Sequence, residues 1–406
     1  MFKKQIIIVK REPWILVALP IAIISLLLIL IINPFLGVRV GFLRCDRLGH
    51  FAANTELYLC YKDGLESKKK IIDIFYYPRE VCNYQLATMW ERELFILPWF
   101  WMRPIDLIIR SFDCLAFLRV VEARGEDRDV DSLFDETEPH LSFTSDEDNF
   151  GREQLEKFGI PKNANFVCIT VRDNAYLKDF LPENSTAEYH NYRDCDVQNF
   201  ILAAEDLAER GYYVLRMGAK VNNSIKSKHP KVIDYAVNGM RTDFMDVWLG
   251  ANCDFCISTA TGFDAIPYVF RRPIVYVNNT PVGYLFTFSK KSVAITKHHM
   301  FQDTEKEMTL SEIFEHNVGY SLEAEDYINN GVFLIENTPE EIRDVVLEMD
   351  SRLHQSWKAL PGDRDLQDRF QSIYNSFVSQ SKIQLHGKIK FKYGASFLRE
   401  NRAWLN

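Results

Sequence analysis

Ser258, Thr259, Thr261 and Gly262 lie in the run Ser-Thr-Ala-Thr-Gly, which follows the short apolar stretch 253–257. Small hydroxyl residues and a glycine where a strand hands over to a helix can hold a phosphate. The backbone N–H groups of Thr261, Gly262 and Phe263 and the positive end of the helix dipole would face the anion, with the Ser258, Thr259 and Thr261 hydroxyls beside them. The same residues can also serve as a simple helix cap. Cys253 and Cys256 form a CxxC just before the turn, but neither a second CxxC nor a His pair follows. The eight scattered cysteines read as reduced packing residues.

The elements that must position this turn alternate in type. Residues 242–278 read as helix, buried strand, turn, second helix and second buried strand. Upstream, 166–171 is a strand ending at Arg172-Asp173, 196–210 is a helix stopped by Gly211, and 212–217 is a strand ending at Gly218. In open α/β sheets the carboxyl ends of strands form the ligand crevice, so Arg172, Asp173, Gly218, Ser258 and Thr259 are expected to converge. A first set of alternating elements precedes these: strand 38–43, loop 44–50, helix 54–61, strand 70–77 and helix 82–94. The acidic stretch 124–148 reads as a solvated linker, and 339–352 and 363–378 as helices.

At 406 residues the chain accommodates two domains plus extra elements, and its net charge of −8 disfavours a nucleic-acid partner. Residues 14–32 form an apolar run of bilayer-spanning length, preceded by Lys3, Lys4, Lys10 and Arg11. It reads as a membrane anchor. Arg39, Arg44 and Arg47 on its far side weaken the orientation signal, and Pro20 leaves a monotopic insertion beside a single span. Aromatic residues make up 13% of the chain and cluster at 95–110, where Trp99 and Trp101 accompany Arg103 and Arg110. That mix suits the bilayer interface, or else an interdomain or core helix.

The segments RLGHFAANTELYL (47–59), ITVRDNAYLKD (169–179), HNYRDCD (190–196), YYVLRMG (212–218) and 242–278 together resemble a bacterial family of putative glycosyltransferases of surface-polysaccharide loci. That family is of the two-Rossmann GT-B type and is distantly similar to heptosyltransferases. The resemblance implies an α/β fold of two Rossmann-like domains with an N-terminal membrane helix. With the anchor read from the apolar run and the domain boundary placed in or just after the acidic stretch 124–148, the chain divides into an anchor at 1–36, an acceptor domain at 37–145, a nucleotide-sugar domain at 146–340, and C-terminal helices at 341–406 expected to pack back on the first domain. The resemblance also implies a nucleotide-sugar donor, a lipid-linked or surface-glycan acceptor, no metal and no cofactor.

Glycosyl transfer requires a base for the acceptor hydroxyl. Heptosyltransferases carry Gly-Asp at the end of the first loop, whereas here Gly49 is followed by His50, which can perform the same proton transfer near neutral pH. Asp46 and Glu56 are the alternatives, and a structural or capping role for His50 stays open. The departing diphosphate needs cations, for which Arg172, Arg193 and Lys220 are candidates, Arg172 foremost because it can present a bidentate fork. An internal ion pair of Arg172 with Asp173 or Asp194 is the competing role. Asp264 could cap the turn or contact donor hydroxyls, and Arg216 would face solvent or a domain interface. The chain lacks an Asp-x-Asp clamp in an apolar strand context, GxxxxGK[ST], a GxGxxG after the first strand, and GxSxG. The expected protein is a glycosyltransferase of the cytoplasmic membrane, bitopic or monotopic, with its catalytic domains in the cytoplasm. A sugar-nucleotide epimerase of the same fold and a non-catalytic scaffold of a membrane assembly are the alternatives.

Overall fold

The computed structural model describes residues 12–64, 70–121, 126–175, 191–381 and 384–406. Lys3, Lys4, Lys10, Arg11, the end of the 169–179 motif and His190 lie outside the described residues. The chain divides into two compact units, one of residues 1–127 and 139–142 and the other of residues 128–138 and 143–406.

The first unit opens with helix α1 (Trp14–Ile32), which continues through Pro20. Strands β1 (Gly37–Val40), β2 (Ile71–Phe75) and β3 (Phe95–Ile96) form a parallel sheet in that order. Helix α2 (Leu48–Asp63) crosses from β1 to β2, α3 (Tyr84–Glu93) from β2 to β3, and α4 (Trp99–Ser111) follows. Parallel neighbours need such crossovers, because a tight turn cannot return the chain to the same end of the sheet. Asn83 starts α3 by accepting the Leu86 N–H at 2.8 Å. Helix α2 begins well before the expected 54, so Gly49 and His50 belong to its first turn and not to a loop. Phe51, Ala52, Leu57 and Leu59 are buried along it, and this burial outweighs the weak helix propensity of glycine. Arg39 and Asp73 face each other in the β1–β2 register, bonded at 2.6 and 2.9 Å, and the Tyr58 hydroxyl of α2 donates to the same carboxylate.

The second unit carries helix α5 (Ser145–Lys157), β4 (Phe166–Thr170), α6 (Ile201–Glu209), β5 (Tyr213–Met217), β6 (Val232–Ile233), α7 (Asp243–Asn252), β7 (Phe255–Ser258), α8 (Ala265–Val269), β8 (Ile274–Asn279) and β9 (Ser292–Thr296). An antiparallel pair, β10 (His298–Phe301) and β11 (Val332–Ile335), brackets α9 (Leu310–Glu315) and α10 (Ala324–Asn329), and α11 (Pro339–Leu353), α12 (Asp363–Val378), β12 (Lys392–Tyr393) and α13 (Ala395–Glu400) complete the chain. The main sheet is seven-stranded with order β12-β9-β8-β7-β4-β5-β6, every pairing parallel. Strands β4, β7, β8 and β9 are buried at every position, as expected for a parallel sheet covered on both faces. Chain order reverses at the β4–β7 pair, the topological switch point of a doubly wound sheet.

Two expectations change here. The C-terminal segment, expected on the first domain, belongs to the second unit. Its strand β12 extends the main sheet beside β9, and Phe370 of α12 packs against Tyr393 and Trp404 with ring centroids at 4.5 and 6.0 Å. The start of the acidic stretch is no solvated linker either. Arg128 is buried, its guanidinium donating to the carbonyls of Tyr284, Leu285 and Leu385 at 3.1, 2.7 and 2.9 Å. Asp129 is buried too and accepts the N–H groups of Leu133 and Phe134 at 2.7 and 2.9 Å, and burial pushes its carboxyl up to about 6. Charges that find a full set of backbone partners can be enclosed.

Candidate functional site

At the switch point the carboxyl ends of β4 and β7 are tied together. The Arg172 N–H donates to Thr259 Oγ1 at 2.8 Å, the Thr259 N–H to the Thr170 carbonyl at 3.2 Å, and the Thr170 and Thr261 hydroxyls share a 2.9 Å bond. Ser258 organises the turn from inside. Its Oγ donates to Asp264 Oδ2 at 2.7 Å and accepts the N–H groups of Ala260 at 3.0 Å and Thr261 at 3.4 Å. Ala260 holds φ of 59°, a left-handed conformation that a non-glycine residue keeps only when its surroundings enforce it.

This geometry alters the expected use of the turn. The Thr261 N–H is engaged by Ser258 and the Phe263 N–H by Thr261 Oγ1 at 3.3 Å. The helix expected to begin near Gly262 begins at Ala265 and is five residues long, so its dipole is small and displaced. Positive charge at the switch point comes instead from arginines. Arg193 Nη2 donates to the Ala260 carbonyl at 2.5 Å, which fixes the guanidinium beside the turn. The Arg172 side chain is 16% exposed, and its Nε stands 3.8 Å from Asp194 Oδ1, a long ion pair of the kind expected from sequence but beyond hydrogen-bond reach. Among the described residues neither Arg172 Nε nor Arg193 Nε has a hydrogen-bond partner, though both atoms are buried. Burial, reinforced by the neighbouring Arg193 charge, pushes the Arg172 guanidinium down to about 10. Two crowded cations with unmet donors among the described residues could receive an anion.

The other predicted residues of this unit divide by role. Asp173 accepts the Ala175 and Asn222 N–H groups at 2.9 and 2.8 Å, organising the loop after β4 and making no ion pair with Arg172. Gly218 has φ of 157°, and a Cβ there would lie 2.6 Å from Val221 Cγ1. Lys220 is exposed. Arg216 does not face solvent. It is 1% exposed and pairs with Asp234 at 3.3 Å. It lines a cavity of about 320 Å³ with Asp173, Asp194, Asp196, Asn222 and Glu336. That cavity is acidic, so it suits hydroxyl donors and not phosphate. Asp194, read from the sequence as a possible ion-pair partner of Arg172, does stand against it. Other residues were missed from sequence. Lys297, buried in the second unit, donates to the Asp194 carbonyl at 2.7 Å. At the end of β8, Asn279 Nδ2 and Thr280 Oγ1 are buried without partners among the described residues. The Asn-Asn-Thr run at a strand end was the available signal.

The first unit holds the candidate bases separately. His50 Nδ1 lies 3.2 Å from Asn54 Oδ1 and 3.5 Å from Asp127 Oδ2, and its side chain is 20% exposed. A carboxylate at one ring nitrogen leaves Nε2 as the proton acceptor. Asp127 was hidden in the acidic stretch. Asp46 is 43% exposed with Arg79 at 3.7 Å. Glu56 is wholly buried, and its Oε1 meets the His140 N–H at 3.3 Å and Nδ1 at 3.2 Å. Asp63 Oδ2 is 2.9 Å from His140 Nε2. Contacts with Cys60, then Glu56 and Asp63, lift His140 to about 10, making it an imidazolium. Glu56, Cys60 and His140 present ligand atoms within 4.8 Å of one another. With both ring nitrogens on carboxylates, the cluster works as an ion-pair clasp that ties 139–142 to α2.

No family model and no curated protein matches the chain. Among solved structures it is similar to ADP-heptose lps heptosyltransferase II of E. coli, at 14% identity over 78% of this chain and 99% of that one, with a TM-score of 0.40. It is also similar to a glycosyl transferase family 9 protein of Veillonella parvula DSM 2008, at 9% identity over 64% and 86%, TM-score 0.40. A third is the iron-containing dodecameric glycosyltransferase TibC of enterotoxigenic E. coli H10407, at 14% identity over 60% and 61%, TM-score 0.29.

Proposed function

We propose that this chain is a membrane-associated glycosyltransferase that moves a sugar from a nucleotide-sugar donor to a lipid-linked or surface-glycan acceptor at the cytoplasmic face. The carrying observation is the pair Arg172 and Arg193 at the switch point of a doubly wound sheet, both with buried Nε atoms that have no hydrogen-bond partner among the described residues. Their cations receive the donor diphosphate beside Thr259 and Thr261, without need of a metal. The acidic cavity beside Arg216 takes hydroxyl groups of the donor. In the transfer step the acceptor hydroxyl oxygen bonds to the anomeric carbon while the bond from that carbon to the diphosphate oxygen breaks. The leaving diphosphate keeps the electron pair and is stabilised by Arg172 and Arg193. The hydroxyl proton passes to His50 Nε2, with Asp127 steadying the imidazolium.

The test is a thermal-shift screen of the detergent-solubilised chain against nucleoside diphosphates, followed by product analysis with the matching nucleotide sugars. A ligand that binds only the folded state raises the midpoint, by about 2.7 kcal/mol of stabilisation at a hundredfold excess over Kd. Stabilisation by one nucleotide and release of nucleoside diphosphate with an acceptor support transfer. An isomerised nucleotide sugar instead indicates an epimerase, and indifference to every nucleotide indicates a scaffold.

A further inference from the structure

Helix α1 is apolar on every side, yet the protein covers only one of its faces. Ile15, Ala22 and Leu26 are buried, and Ala22 and Leu26 share a core cluster with Val40 of β1 and Met102, Ile105 and Ile109 of α4. The opposite face carries Val17, Ile21, Ile24, Leu28 and Ile31, spaced alternately by four and three, as one helical stripe requires. These five are between 55% and 82% exposed. Helix α4 extends this surface. Trp99 meets Trp14 edge-on at 5.0 Å, Trp101 Nε1 donates to Ser25 Oγ at 3.3 Å, and both tryptophans are close to half exposed. Contiguous apolar surface on this scale marks an interaction site.

We propose, building on the membrane reading above, that α1 lies in the plane of one leaflet and does not cross the bilayer, with Trp99 and Trp101 embedded beside it at the headgroup layer. The occupant of the exposed stripe is lipid hydrocarbon. Trp99 and Trp101 flank the helix with the amphipathic rings that favour the interface. The sequence just before α1 carries Lys3, Lys4, Lys10 and Arg11, charges complementary to anionic headgroups.

The in-plane orientation follows from what covers the inner face. Ala22 and Leu26 sit at the middle of α1, and a crossing helix would present that midpoint to lipid or other membrane helices and not to the core of an α/β unit. Polar partners press on the same element, since Arg103 of α4 grips Glu12 through two bonds of 2.6 Å. A crossing orientation would draw these charges and the adjoining sheet toward hydrocarbon. An in-plane helix ordinarily needs a polar face. Here the unit's own core replaces water on the inner side, so both faces of a helix whose single polar residue, Ser25, is bonded by Trp101 meet apolar surroundings. At 1.5 Å per residue α1 is about 28 Å long, which is why length and composition alone read as a span.

The experiment uses the full chain with a protease-cleavable tag at each end, reconstituted into phosphatidylethanolamine–phosphatidylglycerol vesicles, floated, and then exposed to protease from outside. In the in-plane arrangement each molecule loses both tags or neither. Molecules that lose one tag and keep the other overturn the proposal in favour of a crossing helix. Ile24→Asp, at the centre of the outer stripe, is expected to lower the floated fraction at least tenfold with unchanged circular dichroism and nucleoside diphosphate binding. Undiminished flotation of that variant would also overturn it. A wild-type chain that binds nucleotide but fails to float, whether monomeric or self-associated, overturns the membrane reading itself while leaving the donor site standing.

Discussion

Replacing Arg172 by glutamine separates a binding role from a structural one, because the two roles predict stability changes of opposite sign. The folded protein pushes Arg172 from the ordinary guanidinium value down to about 10, chiefly by burial and then by the Arg193 charge. For a base whose folded value is depressed, the charged form is disfavoured by folding. That penalty is present in full below about 10 and is relieved as pH rises from there toward the ordinary guanidinium value. At about 1.4 kcal/mol per pKa unit the drop corresponds to roughly 3 kcal/mol, and relaxation with partial solvation reduces this to about 1–3 kcal/mol. Arg172→Gln is therefore expected to stabilise the ligand-free protein at pH 7, raising its melting midpoint by about 2–5 °C. The same change removes charge-assisted hydrogen bonds to a bound diphosphate, at about 1.5–3 kcal/mol, weakening affinity about 10–100-fold. Scanning calorimetry without ligand and titration calorimetry with the stabilising nucleoside diphosphate read the two effects. A variant that melts lower and binds nucleotide normally would refute the reasoning and make Arg172 the structural partner of Asp194.

His50→Gln should lower transfer by about 10²–10⁴-fold while leaving nucleoside diphosphate affinity unchanged, and near-native turnover in single-turnover assays would remove His50 as the base. Ser258→Ala leaves the Ala260 N–H and the Asp264 carboxylate short of a partner inside the turn, so urea unfolding should report a loss of about 1–3 kcal/mol; no loss would mean that the turn is held by its other bonds. His140 is raised to about 10, so its stabilisation is complete below about 6.5 and disappears as pH climbs through 10. His140→Ala should accordingly flatten the fall in stability between pH 6.5 and 10, and an unchanged slope in denaturant titrations would place the proton uptake elsewhere.

Strands β1, β2, β4, β5, β7 and β8 were legible because such strands are short apolar runs punctuated by glycine or polar residues, whereas β3, β6, β9 and β12 were not read from the sequence. Residues 166–171, 212–217 and 253–257 each read this way, and the strands lie within one or two residues of those ranges. The start of α2 was not legible. Gly49 and His50 have the composition of a loop, and only the burial of Phe51, Ala52 and Leu57 shows that the helix extends back through them. Arg128 and Asp129 likewise resemble a solvated charge run until the carbonyls of Tyr284, Leu285 and Leu385, remote in sequence, are brought to meet them.

At the candidate site, local sequence determined that small hydroxyl residues occupy the end of β7, since residue type and strand punctuation are local properties. Tertiary structure alone decided what those residues do. Ser258 turns inward to Asp264, the Ala260, Thr261 and Phe263 amides are engaged within the turn, and the cations proposed to take the anion are Arg172 and Arg193, which come together because β4 and β7 are neighbours at the switch point. The N-terminal helix follows the same division. Its apolar composition and length were plain from residues 14–32, but hydropathy averages over the helix circumference. Only packing against Val40, Met102 and Ile105 divides it into one face for the core and one exposed face, the face proposed to meet lipid.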